Sequence, residues 1–407
     1  MDVREQRGLE IAATKKLRQK GDLWVVPSQA GAGTYVVDPT EARGATCTCP
    51  DYETRQASCK HVFAVEFTMR RETVAPDGTV VAEQLRLTYR QEWPAYNAAQ
   101  VHEKERVAGL LRDLCSAIDN PVQGRGRPRL PLSDAAFCAA MKVYGGTSGR
   151  RAMTDLRDYA AKGYIDRAPH YNSVFNALEN PDLTPILTAM VEESARPLAA
   201  LETDFAVDSS GFTTSEYQRW FSAKYGKEMS RAKWLKAHVM VGTKTNVVTA
   251  VKVTDNYGPD AQDTLHLPDL LNTTVQRGFG VEMVSADKAY LTKRNFVAID
   301  DARAFPLIPF KSNSRAFHAK GDGADLWRRM YFFFMYRREE FSAHYHKRSN
   351  VETTFSMIKA KFGTRIRSKT AVAQVNELLC KVLCHNLCCL VSAFYELGVE
   401  ATFWGAA

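Results

Sequence analysis

The sequence predicts an α/β protein: a mixed sheet flanked by helices, preceded by a helical segment and by a small α+β module. Three observations predict it. β-rich runs recur at residues 205–208, 237–241, 247–253, 281–284 and 305–310. Helical patterns separate the later runs, an order that lays helices over a mixed sheet. The 407 residues are 45% apolar and 25% charged, an ordinary globular balance. At roughly 100–200 residues per domain, this length holds about two to four domains.

Composition also excludes some classes. The longest apolar stretch, residues 378–391, is interrupted by Lys381, His385 and Asn386, so it falls short of the ~18 apolar residues of a membrane span. The start, Met1-Asp2-Val3-Arg4-Glu5, is charged with no apolar run behind it, unlike a signal peptide. Nine cysteines in a chain of this size suit metal binding and buried thiols in a reducing cytosol, not a secreted disulfide scaffold. The net charge of +8 is compatible with a nucleic-acid partner. It is concentrated: residues 311–370 hold 14 Lys and Arg against 5 Asp and Glu, a surplus larger than that of the whole chain.

Residues 1–75 read as the α+β module. Trp24-Val25-Val26 and Tyr35-Val36-Val37 flank a small-residue loop and predict a hairpin. Cys47 and Cys49 then form one tight pair, and Cys59 and His61 form a second after nine residues, just before a short helix. Three thiols and one imidazole are the ligand set of a closed, structural zinc site, and a unit this small gains much of its folding free energy from such an ion. With all four positions filled, no open one remains for catalysis. The alternative is four unconnected residues. The C-x-C, loop, C-x-H pattern resembles a SWIM-type zinc finger, which serves DNA or protein contacts.

Residues 76–130 read as a linker with a basic segment at 124–129. Arg125, Arg127 and Arg129 alternate with Gly and Pro, which deny them a helix. On an extended backbone they suit a narrow minor groove, and Arg125-Gly126-Arg127-Pro128 resembles an AT-hook core; a solvated basic linker is the even alternative. Residues 131–200 predict short helices. Ser133-Asp134 caps the first. Ser148 caps the second, which Gly163 ends. Residues 172–178 begin the third, and Pro181-Asp182 starts one more. Their Gly-containing turns suit a helix-turn-helix reader of DNA, with a plain helical spacer as the alternative.

Residues 201–397 carry the chemistry. Asp208 ends the first strand, Asp287 lies just past the fourth, and Glu352 sits on a late helix. Acids at adjacent strand ends can converge, and two Mg²⁺ ions about 3.5–4 Å apart need such carboxylates. The stretch from Tyr345 to Lys359 follows Y-x2-R-x3-E-x6-K. On one helix, Tyr345, Arg348, Glu352 and Lys359 share a face.

This signature, with Asp208-Ser209-Ser210-Gly211 and Ala286-Asp287-Lys288-Ala289-Tyr290, resembles the DDE transposases of bacterial insertion sequences, over roughly residues 125–395. The resemblance implies an RNase H-like core. It implies that Asp208, Asp287 and Glu352 match the family's catalytic triad, which holds two Mg²⁺ (or Mn²⁺). Tyr345, Arg348 and Lys359 match its positions for transposon-end DNA, and a homodimer acting on nucleoid DNA in the cytoplasm follows by analogy. Asp287 and Glu352 are 65 residues apart, too close for the large β-rich insertion of some relatives. Arg365, Arg367 and Lys369 extend the basic stripe and are read as phosphate contacts. Residues 330–336, Met-Tyr-Phe-Phe-Phe-Met-Tyr, are read as a buried strand, with base stacking as the alternative. Cys380, Cys384 and Cys388 are read as small core residues and His238, His318 and His346 as surface or satisfied histidines. A DNA-binding regulator and a nuclease that cuts without joining are the competing functions.

Overall fold

A computed structural model describes residues 4, 7–8, 11–12, 15, 17–28, 33–40, 44–74, 80–84, 93–122, 125–126, 129–214, 234–317 and 319–405, with the backbone alone at 69–74 and 80–84. The chain divides into two compact units, Met1–Trp93 and Pro94–Ala407. Arg127 and His318 lie outside the described residues.

The first unit holds a four-stranded antiparallel sheet in the order β1 (Arg18–Lys20), β2 (Leu23–Pro27), β3 (Thr34–Asp38), β4 (Thr46–Cys47). β2 and β3 pair antiparallel with Val25 opposite Val36, the hairpin read from their β-branched residues. Helices α1 (Pro50–Arg55) and α2 (Lys60–Met69) follow, and Val26, Val37, Val62 and Val65 pack with the cysteines into one small core. A separate ribbon pairs β5 (Arg70–Val74) with β6 (Val80–Gln84).

The second unit begins inside the span read as a linker, with the 23-residue helix α3 (Trp93–Cys115). The run Glu103-Lys104-Glu105-Arg106 makes the segment look solvated. Its apolar stripe, Val107, Leu111 and Leu114, is nonetheless spaced for one helix face and is fully buried. Four helices follow: α4 (Leu132–Tyr144), α5 (Gly149–Ala161), α6 (Tyr171–Glu179) and α7 (Leu183–Ala195). Ser148 caps α5 by accepting the Arg151 N–H. Ser133 and Asp134 do not cap α4. They lie buried in its first turn, Ser133 bonded to Asn120 and Asp134 to Arg112.

The sheet is mixed and five-stranded, in the order β11 (Phe305–Leu307), β10 (Met283–Ala286), β7 (Asp204–Thr213), β8 (Trp234–Gly242), β9 (Val248–Asp255). β7, β8 and β9 form an antiparallel meander. β10 joins β7 in parallel, and β11 joins β10. Helices α8 (Leu267–Gln276) and α9 (Lys293–Asp301) are the connections between β9, β10 and β11. α10 (Ala324–Tyr336), α11 (Arg338–Tyr345), α12 (Ser349–Phe362) and α13 (Ala371–Leu397) complete the unit.

The aromatic run at 330–336 is therefore helical, not a strand. Trp327, Met330 and Phe334 recur at three and four residues and are buried, whereas Phe332, Met335 and Tyr336 are exposed. A run of apolar residues with no polar alternation carries no period, so length and neighbours decide its form.

α13 is long and apolar enough to span a membrane by length and composition, yet 78% of its most apolar window is buried inside the protein. Asn376, Glu377, Lys381, His385 and Asn386 are buried too, and each has hydrogen-bond partners. The Asn386 amide donates to Val248 O (2.7 Å), Val191 O (3.1 Å) and Ser194 Oγ (3.0 Å), and its carbonyl accepts the Val248 N–H (2.9 Å). One side chain thus ties strand β9 to α7. Cys380 and Cys384 are buried, burial pushes both thiols up, and they belong to no metal-ligand cluster among the described residues.

Replacing Asn386 by Leu orphans both backbone groups of Val248, at about 1–3 kcal/mol each. The urea midpoint of the full chain should fall with an unchanged m-value. An unshifted midpoint removes this role from Asn386.

Candidate active site and candidate metal centre

In a strand, side chains alternate between faces. β7 therefore turns Asp208, Ser210 and Phe212 one way and Ser209 and Gly211 the other. Its parallel register with β10 sets Val207 opposite Ala286. The next residues along the two strands are Asp208 and Asp287, so the two acids stand side by side where β10 ends. Asp287 caps the 3₁₀ turn Lys288–Tyr290, its carboxylate accepting the Ala289 N–H at 2.7 Å.

α12 lies on the Asp208 face of β7. The Lys359 ammonium donates to Ser210 Oγ at 2.6 Å and stands 5.2 Å from the Phe212 ring centre. Beyond α12, Thr364 and Ile366 bond to both backbone groups of Thr213 and extend the edge of β7. The docking sets Glu352 near the two aspartates. Arg348 stands between them, with Nη1 3.5 Å from Asp208 Oδ2 and Nη2 bonded to Glu352 Oε1. Its Cζ is 5.7 Å from the Tyr345 ring.

Electrostatics show the convergence. The Asp208 carboxyl is pushed up to about 6, first by burial and further by Asp287 and Glu352. The Ser209 N–H and Arg348 oppose that rise without cancelling it. Burial raises Tyr345 as well, and Arg348 and all three acids act on it. Three carboxylates, one phenol and one guanidinium thus share a single locus.

The quartet does not lie on one continuous helix. Tyr345 ends α11, Arg348 falls in the 3₁₀ turn His346–Arg348, and Glu352 and Lys359 belong to α12. The tighter turn changes the angular spacing there, since a 3₁₀ helix has about 3.0 residues per turn. Arg365 and Arg367 lie past α12, both exposed. The Arg367 guanidinium donates to Gly146 O and its backbone N–H to Glu377. Arg125 and Arg129 are exposed in the loop before α4, on a different element from the acids.

A polar cluster on the opposite face of β7 escaped the sequence reading. Asp263 accepts from Ser209 Oγ (2.6 Å) and Lys236 Nζ (2.6 Å), with His238 Nδ1 at 3.3 Å. Burial works to raise Asp263, but His238, Lys236 and Ser209 together hold its carboxyl well below the usual range. His238 is fully buried, and burial lowers its pKa. The signal was present: Lys236 and His238 alternate on β8, and His238 is directly opposite Ser209.

In the first unit, four side chains meet from three elements. Cys47 ends β4, Cys49 caps α1, and Cys59 and His61 stand at the start of α2. All four are buried, and their ligand atoms lie within 4.8 Å of one another. His61 Nδ1 is 3.8 Å from the sulfurs of both Cys47 and Cys59. A tetrahedron with zinc–sulfur arms of ~2.3 Å has ligand-to-ligand edges of about 3.6–3.8 Å, so the set fits zinc in size as well as in donor type. Cys59 is pulled down to about 4, chiefly by its hydrogen bond from Cys47, while burial opposes this and His61 assists. One thiolate is thus favoured before any ion enters.

Residues 200–387 match the family model described as Transposase DDE domain. The match spans β7 to most of α13 and includes all three acids, and it supports a transposase. The mixed five-stranded sheet flanked by helices is consistent with such a domain. No solved structure matches the chain.

Two outcomes follow. The full chain should carry one zinc by elemental analysis, and Cys59→Ser should lose that ion and unfold the first unit, read as a missing phase in urea denaturation. A variant that keeps both removes the metal reading. In metal-free protein the folded pKa of Asp208 lies above its unfolded value, so the unfolded state binds fewer protons between about pH 4 and pH 6. Stability should therefore fall as pH rises through that window, and Asp208→Asn should flatten the fall. Equal pH slopes for wild type and variant contradict the shift.

Proposed function

We propose that this chain is a DNA transposase that binds the terminal inverted repeats of its element, then cleaves and joins strands by a two-metal mechanism. One observation carries the proposal: Asp208, Asp287 and Glu352 act electrostatically on one point, inside a segment that matches a transposase DDE domain. All three are oxygen donors, the ligand type that hard Mg²⁺ or Mn²⁺ takes. With Arg348 as the cation between Asp208 and Glu352, Asp208 still resists ionisation, so the locus favours further positive charge. Two divalent ions held there would supply water activation and stabilisation of the charge that develops on phosphate oxygens.

The chain's own residues do the positioning. Arg348 is half-buried and restrained by two carboxylates, so its guanidinium is preorganised for a phosphate at the same place. Lys359 is anchored on Ser210 beside the acids and adds a second cation for the backbone. The Tyr345 hydroxyl, kept protonated by burial, is a neutral donor. Water or a 3′-hydroxyl then attacks phosphorus in line as the opposite oxygen leaves, with no covalent enzyme intermediate and most of the rate from orientation.

The remaining assignments belong to the same reading. The Cys47, Cys49, Cys59 and His61 cluster holds one structural zinc in a SWIM-type finger. Residues 131–200 read DNA as a helix-turn-helix segment, and Arg125, Arg127, Arg129, Arg365 and Arg367 neutralise phosphates. A homodimer cuts paired ends on nucleoid DNA in the cytoplasm. Between Asp287 and Glu352 the described residues form α9, β11, α10 and α11, with no inserted β domain.

Purified protein, Mg²⁺ and DNA bearing the element's terminal repeats should yield cut ends and joined products. Asp208→Ala should reduce both to background while end binding persists, and an alanine variant that still cleaves removes the triad. Arg348→Ala should slow cleavage by about 10²–10³-fold. Cutting without joining identifies a nuclease instead, and end binding without either identifies a regulator.

A further inference from the structure

A cavity of about 650 Å³ opens where the loop after α12 passes the helices α4, α5 and α6. Such a volume is in the range of small-molecule sites, ~300–1,000 Å³. Its lining carries four cations, Lys142, Arg365, Arg367 and Lys369, against one carboxylate, Glu179. Two aromatic rings, Phe175 and Phe362, supply flat apolar wall.

Lys142 is the unusual member. It is 6% exposed, and among the described residues its ammonium has no hydrogen bond and no ion pair. Its Nζ stands 6.0 Å from the centroid of the Phe175 ring. Its stem is buried while the residue lines the cavity, so its charge there has no protein counter-ion among the described residues. A ligand that brings negative charge into the cavity would supply the missing counter-charge.

Two further features point the same way. The N-terminus of the 13-residue helix α5 enters the wall at Ser148 and Gly149. The first-turn N–H groups not taken by the Ser148 cap and the positive end of the helix dipole favour phosphate there. Thr147 Oγ1, also in the wall, is buried without a hydrogen-bond partner. The tip of the Phe175 ring packs on Gly149, where an added Cβ would meet its Cζ at 2.4 Å. Glycine there lets the aromatic wall and the helix N-terminus share one space.

The lining is held in advance. The Glu377 carboxylate, itself buried, accepts the N–H groups of Arg367 (2.9 Å) and Ser368 (2.7 Å). Buried Lys381 donates to Gly363 O (2.9 Å) and to Arg365 O. Arg367 reaches across to Gly146 O and closes one side.

We infer that this cavity binds a single nucleotide unit, its phosphate towards Lys142 and the α5 N-terminus and its base against Phe175 and Phe362. Cations alone would suit bare phosphate, whereas the two rings add a surface that every base can stack on. The nucleotide comes either from solution or from an unpaired position in DNA. Glu352 and Phe362 lie ten residues apart on α12, about 15 Å along its axis, so a strand at the acids reaches the cavity within a few nucleotides. Only this choice of source rests on the transposase reading; the ligand chemistry does not.

The test uses the full chain without divalent metal, so that it stands whether or not the protein cleaves DNA. Calorimetry with dAMP, dCMP and inorganic phosphate should show saturable binding of both nucleotides, with phosphate weaker and competitive. Lys142→Met should weaken all three by about tenfold or more. Phe175→Leu, at a part-exposed position, should weaken the nucleotides by about tenfold and leave phosphate unchanged. Oligonucleotides bearing 2-aminopurine separate the sources. Quenching at an unpaired position but not in full duplex, lost in both variants, assigns the site to DNA; binding of dAMP with no quenching assigns it to free nucleotide. Failure of both dAMP and unpaired 2-aminopurine to bind wild type overturns the inference. So does binding of phosphate alone, or nucleotide binding that Phe175→Leu leaves intact.

Discussion

Three carboxylates can occupy one place only if positive charge stands among them. In this chain that charge is Arg348, between Asp208 and Glu352. The rest of the second unit serves that requirement. β7 and β10 run parallel so that Asp208 and Asp287 come side by side where β10 ends, and α12 packs on β7 so that Glu352 and Lys359 arrive from the same side. Arg348 does not offset the whole cost, since burial first, and then Asp287 and Glu352, still hold the Asp208 carboxyl up at about 6. A site that is costly without further cations is a site prepared to take them.

β7 is polar on both faces near the acids, which a central strand tolerates only when every group is partnered. On one face Ser210 receives Lys359. On the other, Ser209 is bound to Asp263, which Lys236 and His238 also hold. Behind them α13 applies the same rule in the core. Asn386 satisfies the backbone of β9, Lys381 the carbonyls after α12, and Glu377 the amides of Arg367 and Ser368. The loop that closes the nucleotide-sized cavity is thus shaped by side chains buried in the middle of the domain.

Much of this was legible in the order of residues. The three acids, the Tyr345-to-Lys359 spacing and the two cysteine pairs are local patterns, and each names its own chemistry. The five strands were legible because β-branched and aromatic residues cluster where strands run. Other elements were not. The stripe of α3 is diluted by charged residues that face water, so the segment passed for a linker. The aromatic run of α10 has no polar alternation to reveal its period. Nothing in the sequence marks Lys142, because its burial depends on α6 and on a loop more than two hundred residues away.

The sequence by itself determined which groups exist: three acids, a basic stripe around them, and a thiol–imidazole set for one metal. It also determined local form wherever the apolar period was clear, since that period follows from backbone geometry alone. Only the tertiary structure decided which groups meet. The β7–β10 register made two acids neighbours, the α12 docking added the third and its arginine, and a cluster around Asp263 formed from strands and turns with no shared motif. The physical reason is that Coulomb and hydrogen-bond energies depend on distance through space. Sequence spacing sets that distance only within a single helix or strand.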